Sequence, residues 1–202
     1  LLLLLSVATL FATAMIYASL RTVAAWAMPL VPAGFLAWGL LGGWLWLWTV
    51  LAVAGVGLGS GAVATAVLAG IALVVVKASY WRQLRSQLLP GSNASALGLL
   101  GQVPGEARVD PFEAPHTEAN YITREMVFVF ARRHAPVLQL GALVLGAAWP
   151  VTMLLLAWAW PGIAAVACVL GVIGFQAGAF LERWLFFAQA RHVVARYYPT
   201  TA

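Results

Sequence analysis

The sequence predicts an all-α fold, a polytopic bundle of transmembrane helices, and two properties of the 202-residue chain lead to this prediction. First, 63% of its residues are hydrophobic and only 8% are charged, whereas roughly a quarter of the residues of a water-soluble domain are charged. Second, the apolar residues form long runs, and a helix needs about 20 such residues to cross a bilayer. Composition and run length together exclude a soluble globular domain and predict five spans.

Short polar or glycine-rich breaks separate the first three predicted spans. The first covers residues 1–20 and ends at Arg21. The second covers residues 32–54, because Pro32 suits a first helical turn and a series of glycines follows the run. The third covers residues 62–79.

A long polar stretch, residues 82–126, precedes the last two predicted spans. The fourth span covers residues 136–160, with Pro150 as an expected kink, and the fifth covers residues 163–183. We expect residues 1–202 to form a single integral membrane domain.

The charged residues are distributed asymmetrically between the two sides of this predicted bundle. All 11 Lys and Arg residues fall at the span ends or connections of one side, together with the three His and the six Asp and Glu. By the positive-inside rule this side is cytoplasmic, so the long loop and any soluble partner are expected there. The net charge of +5 then reflects topology and contact with anionic lipids, and we expect no nucleic-acid partner.

Ionisable residues are missing from the middle of every predicted span, which argues against an ion pump. Glu182 and Arg183 stand at a helix end, where they can reach water. His134 and His192 also lie at helix ends, so we do not expect a haem. The single Cys supplies neither a disulfide nor the thiolates of a cluster, so we expect no metal site in this chain.

Small and amide side chains within the spans are expected to serve helix packing. Gly174 and Gly178 have the spacing that allows a neighbouring helix to approach closely. Gln139 is expected to form a hydrogen bond between helices.

The end of the first span carries groups suited to the membrane interface. Tyr17 and Arg21 are one helical turn apart, so we expect them to share a face. Arg21 could donate to a quinone carbonyl or hold the helix end among lipid headgroups. Trp26, Trp81 and Trp184 are expected in the interfacial aromatic belt.

The densest polar motif, residues 113–121, lies in the long loop and contains His116 and Glu118. It is either a folded loop whose polar groups satisfy one another or a docking site for a partner. Near the headgroups, a His and a carboxylate could also exchange protons with a quinone, whose reduction consumes two electrons and two protons.

Several motifs form a recognisable series along the chain. They are Thr13-Ala14-Met15-Ile16-Tyr17-Ala18-Ser19-Leu20, Lys77 with Tyr80-Trp81, Pro115-His116-Thr117-Glu118 with Asn120-Tyr121, Arg124-Glu125-Met126, Glu182-Arg183-Trp184-Leu185-Phe186-Phe187-Ala188, Ala190-Arg191-His192 and Tyr197-Tyr198. This series resembles the membrane anchor subunit family of dimethyl sulfoxide reductase, and within that family it most resembles the anchors of quinone-linked sulfite dehydrogenases.

The resemblance implies a three-part complex on the cytoplasmic side of the bacterial inner membrane. A catalytic subunit would hold a molybdopterin guanine dinucleotide molybdenum centre, and a ferredoxin-like subunit would hold iron–sulfur clusters. This anchor would exchange electrons with ubiquinone or menaquinone. In the sulfite branch sulfite is oxidised and quinone reduced; in the alternative branch quinol is oxidised and an S-oxide or N-oxide is reduced.

Anchors of that family are similar to eight-helix bundles, so the five spans are expected to be the C-terminal part of such an anchor. The family's quinone-site His and carboxylate are expected in the N-terminal half and have no counterpart here. No residue is expected to be catalytic. The candidates for quinone binding or partner docking are Tyr17, Arg21, Trp26, His116, Glu118, His134 and Arg191.

Two other functions stay open. A transporter or channel component would need a polar path through the membrane, for which only scattered Gln and Thr are available. A purely structural anchor would have its quinone pocket in other helices.

Overall fold

The computed structural model describes residues 1–87 and 129–190, and this part of the chain contains helices and no strand. The α-helices are α1 (Leu2–Ala18), α2 (Leu30–Val53), α3 (Ser60–Gln87), α4 (Val129–Arg133), α5 (Ala135–Leu143), α6 (Trp149–Ala159) and α7 (Ala164–Ala188). A π-helical turn (Val144–Ala148) joins α5 to α6, and a 3₁₀ turn (Pro161–Ile163) precedes α7.

Four helical segments are long and apolar enough to cross a membrane, so the described residues have the predicted all-α fold and support a membrane protein. These segments are Leu30–Val53, Ser60–Ser86, Ala135–Ala159 and Pro161–Ala188, and they coincide with the second to fifth predicted spans. The predicted first span corresponds to α1, an apolar helix of 17 residues that is not among these four. A count of five spans is therefore not confirmed.

Two helices continue beyond the ends of their predicted spans. The third span was predicted to end at residue 79, but α3 continues to Gln87, so the beginning of the predicted loop 82–126 is helical. Residues 88–126 of that loop lie outside the described residues. The fifth span was predicted to end at residue 183 and its helix to continue past the bilayer, and α7 does continue to Ala188. Buried side chains lie in both continuations, Trp81 and Leu84 in α3 and Leu185 and Phe186 in α7.

Helix α7 is the centre of the described bundle, because it packs against α2, α5 and α6, while α2 also packs against α1 and α3. The main apolar core lies between these helices and includes Leu41, Leu45, Leu73, Leu154 and Phe175. Many other large apolar side chains face outward, as expected for helices surrounded by lipid.

Glycines allow α7 to approach the π-helical turn closely. A Cβ atom on Gly178 would overlap backbone atoms of Gly146, and one on Gly174 would overlap the Trp149 ring. The predicted close packing at Gly174 and Gly178 is thereby confirmed. The departure from α-helical geometry immediately precedes Pro150, where the sequence predicts a kink.

Candidate functional site at the charged end of the bundle

The C-terminal ends of α1, α3 and α7 meet the N-terminal ends of α2 and α5 at one end of the bundle, which we call the charged end. Side chains bridge these helix ends: Trp26 Nε1 donates to the Phe186 carbonyl at 3.1 Å, and Tyr80 Oη donates to the Ala25 carbonyl at 3.1 Å. The basic residues of the described ranges all lie in or beside these helix ends. They are Arg21, Lys77, Arg82, Arg85, Arg132, Arg133 and Arg183.

Hydrogen bonds from two arginines connect further helices here. Arg85 donates to the Gln139 side chain at 3.3 Å, which confirms the predicted interhelical role of Gln139. Arg132 donates to the carbonyls of Ala188 at 2.9 Å and Ala190 at 3.3 Å, so it caps the C-terminal end of α7.

A buried ion cluster joins α3 to α7. Lys77 Nζ lies 2.5 Å from Glu182 Oε1, and Lys77 is 3% exposed while Glu182 is 1% exposed. Arg183 binds the other carboxylate oxygen, Oε2, through Nε at 2.6 Å and Nη2 at 2.5 Å. Desolvating ions is costly, and partners at this distance offset the cost. Two cations and one carboxylate leave a net positive charge on the cluster.

Aromatic rings enclose the Lys77 side chain. Its Nζ lies 4.1 Å from the centroid of the Tyr80 ring and 4.9 Å from that of the Trp81 ring. Tyr80 and Trp81 follow Lys77 by three and four residues, so the three side chains share one face of α3. The rings stabilise the ammonium group by cation–π attraction where water is excluded.

This arrangement corrects two expectations. Glu182 was expected to reach water at a helix end, but it is buried because Lys77 and Arg183 supply opposite charges inside the bundle. Trp81 was expected in the interfacial belt, but it is only 4% exposed, because it packs in a buried apolar cluster and its ring faces the Lys77 ammonium group.

An aromatic cluster adjoins the ions and consists of Tyr17, Trp26, Phe35, Phe186 and Phe187. The centroid of the Tyr17 ring lies 5.3 Å from those of Trp26 and Phe186, and 5.8 Å from that of Phe35. Trp26 stacks on Phe186 at 5.7 Å. The structure thus brings Tyr17 and Trp26 together, and it places them against α7.

Arg183 connects the aromatic cluster to the ion cluster. Its guanidinium carbon lies 4.2 Å from the centroid of the Phe35 ring and 4.8 Å from that of Phe186. The guanidinium group is therefore bound by the Glu182 carboxylate and also contacts the Phe35 and Phe186 rings. The side chain is nevertheless 30% exposed, so it reaches the surface of the described bundle.

The structure separates two other predicted site residues from this cluster. Arg21 does not share a helix face with Tyr17, because α1 ends at Ala18 and Arg21 is exposed in the segment that follows. His134 is exposed; its Nδ1 lies 3.0 Å from the Phe130 carbonyl, and its ring packs at a tilt against the Phe130 ring, with centroids 4.5 Å apart.

Three predicted site residues, His116, Glu118 and Arg191, lie outside the described residues. Across residues 1–87 and 129–190, no group of three or more His, Cys, Asp or Glu side chains could hold a metal ion.

Sequence reasoning missed the ion cluster of Lys77, Glu182 and Arg183. The signal was present, because Glu182 is the only carboxylate in the described ranges and Lys77 stands within an apolar helix. An ionisable residue in such a helix usually pairs with another inside the bundle. The partner, however, follows only from the packing of α3 on α7.

The chain is similar to a curated relative along almost its whole length. It is 26% identical over 198 residues to a subunit of the sulfite dehydrogenase of Allochromatium vinosum, and the match covers 98% of this chain and 58% of that relative. The chain therefore spans little more than half the length of this relative. No family model matches the chain, and no solved structure matches it.

Proposed function

We propose that this chain is a membrane anchor subunit of a quinone-linked sulfite-oxidising complex. The observation that carries the proposal is the match over 98% of the chain to a sulfite dehydrogenase subunit. The four apolar helices support the membrane role. Like the anchors that its motifs resemble, the chain would belong to the bacterial inner membrane, with its charged end on the cytoplasmic side.

The proposed complex divides the chemistry among its subunits. A molybdenum subunit would oxidise sulfite to sulfate with an oxygen atom from water, and this would release two electrons and two protons. An iron–sulfur subunit would supply the electron path to the membrane, where a quinone would take up two electrons and two protons. This chain holds the iron–sulfur subunit at the charged end and contributes to the quinone site at the same edge.

The aromatic cluster is the part of the charged end best suited to a quinone head group. Tyr17 packs its ring against four neighbours, and its hydroxyl forms no hydrogen bond with the residues described. The hydroxyl can therefore donate to a quinone carbonyl. The Trp26 N–H already donates to the Phe186 carbonyl, so Trp26 would contact the quinone through its ring.

Isolation of the native complex tests the proposal. The chain, tagged and purified from its own membrane, should bring down molybdenum and iron, and the preparation should reduce quinone with sulfite. Quinol oxidation by an S-oxide or N-oxide, without sulfite activity, would assign the chain to the alternative reductase branch. Absence of both metals would contradict the anchor role.

A matched pair of tyrosine variants tests the quinone contact. Tyr17→Phe keeps the ring packing and removes the hydroxyl, so KM for quinone should rise about five-fold, the equivalent of one hydrogen bond. Tyr80→Phe removes a hydroxyl that is already bonded to Ala25, so KM should stay unchanged. An equal KM effect in the two variants would contradict the assignment of Tyr17.

A further inference from the structure

The Arg183 guanidinium group has donor capacity that the described residues do not use. Nε and Nη2 both bind Glu182 Oε2, whereas Nη1 forms no hydrogen bond with a described residue. The Phe35 and Phe186 rings restrict rotation of the guanidinium, so Nη1 is pre-oriented. Because the ion cluster has a net positive charge, this nitrogen favours an anionic acceptor.

An exposed apolar stripe on α7 leads away from Arg183. Val166, Ile173 and Phe180 are each between 59% and 73% exposed. They are spaced seven residues apart, so they follow one face of the helix for about 20 Å at 1.5 Å per residue. Phe180 lies one turn before Arg183 and therefore beside it on the helix surface.

We propose that Arg183 and this stripe bind one anionic phospholipid. The lipid phosphate accepts a charge-assisted hydrogen bond from Arg183 Nη1, and an acyl chain lies along Val166, Ile173 and Phe180. Charge complementarity selects the occupant, since the phosphate supplies the negative charge that Glu182 alone does not. A zwitterionic lipid is disfavoured because its ammonium group would lie near two cations. The proposal does not depend on the sulfite-oxidising complex.

Lipid titration of the purified, delipidated full-length protein in neutral detergent tests the site. Phosphatidylglycerol and phosphatidylcholine with identical acyl chains are added, and bound lipid is counted by native mass spectrometry. We expect one phosphatidylglycerol to bind at least ten-fold more tightly than phosphatidylcholine. Equal binding of the two lipids would overturn the proposal.

Two arginine variants localise the site. Arg183→Gln should abolish most of the preference for phosphatidylglycerol, whereas Arg82→Gln, at an exposed arginine of the same end, should retain it. Arg183→Lys keeps the charge and serves as the folding control, with intermediate affinity expected. An unchanged preference in Arg183→Gln, or equal losses in the two glutamine variants, would refute the assignment.

Competition with inorganic phosphate and a variant of the stripe distinguish lipid binding from binding of a free anion. Inorganic phosphate should not compete with phosphatidylglycerol at equal concentration, because it lacks the acyl chain that contacts the stripe. Ile173→Ser should weaken phosphatidylglycerol binding without changing its preference over phosphatidylcholine. Effective competition by inorganic phosphate would contradict the lipid assignment.

Discussion

Removal of the Glu182 charge tests the buried ion cluster most directly. In Glu182→Gln, Lys77 stays 3% exposed but loses the only carboxylate within ion-pair distance among the described residues. Arg183 also loses the charge on the oxygen that accepts from its Nε and Nη2. Breaking a buried pair in this way costs about 3–5 kcal/mol of unfolding free energy.

Removal of Lys77 should cost less, and this asymmetry is the decisive part of the prediction. In Lys77→Met, Glu182 keeps both hydrogen bonds from Arg183, and methionine fills a similar volume. We expect a loss of about 1.5–3 kcal/mol, corresponding to one charge-assisted hydrogen bond. The double variant Lys77→Met/Glu182→Gln should be less unstable than Glu182→Gln alone, because it leaves no unpaired buried ammonium group.

Equilibrium unfolding of the detergent-solubilised protein, followed by tryptophan fluorescence, measures these differences. All variants are compared in one detergent with an Arg82→Gln control, because Arg82 is exposed and its loss should change the free energy of unfolding by less than about 0.5 kcal/mol. The reasoning is refuted if Glu182→Gln unfolds within about 1 kcal/mol of the wild type. It is also refuted if Lys77→Met is the more unstable single variant.

Two further predictions concern helix packing. Gly178→Ala should destabilise the protein by about 1–3 kcal/mol, because the new Cβ would overlap the Gly146 backbone. Gly162→Ala is the control and should be nearly neutral, because a Cβ there meets open space. Similar thermal unfolding of the two variants would contradict the packing argument. Tyr80→Phe should cost about 0.5–1.5 kcal/mol in the same measurement, since it removes the hydrogen bond to the Ala25 carbonyl, and an unchanged midpoint would show that this bond contributes nothing.

The helices themselves could be predicted because each depends on a local property. Four of the five predicted spans match helices long enough to cross a membrane, and the small-residue spacing at Gly174 and Gly178 correctly indicated close packing. The helical continuation of α3 to Gln87 was not predicted, and the burial of Leu84 there depends on neighbouring helices.

The candidate site could be predicted only in part. Tyr17 and Trp26 were singled out from the sequence, and the structure places their rings 5.3 Å apart. Arg21 and His134 were singled out for the same reason, their position at a helix end, yet both are exposed away from this pair. Residue type and position near the interface do not reveal which side chains turn toward one another.

By itself, the sequence determined that this chain forms apolar membrane helices, because span length and hydropathy act within each segment. It also predicted that the basic residues gather at one end, as those of the described ranges do, since antiparallel spans alternate in direction. Only the tertiary structure decided that Lys77 meets Glu182 and that Arg183 lies on the Phe35 ring. These contacts join residues distant in the chain, and charges in an apolar helix find their partners only when the helices pack.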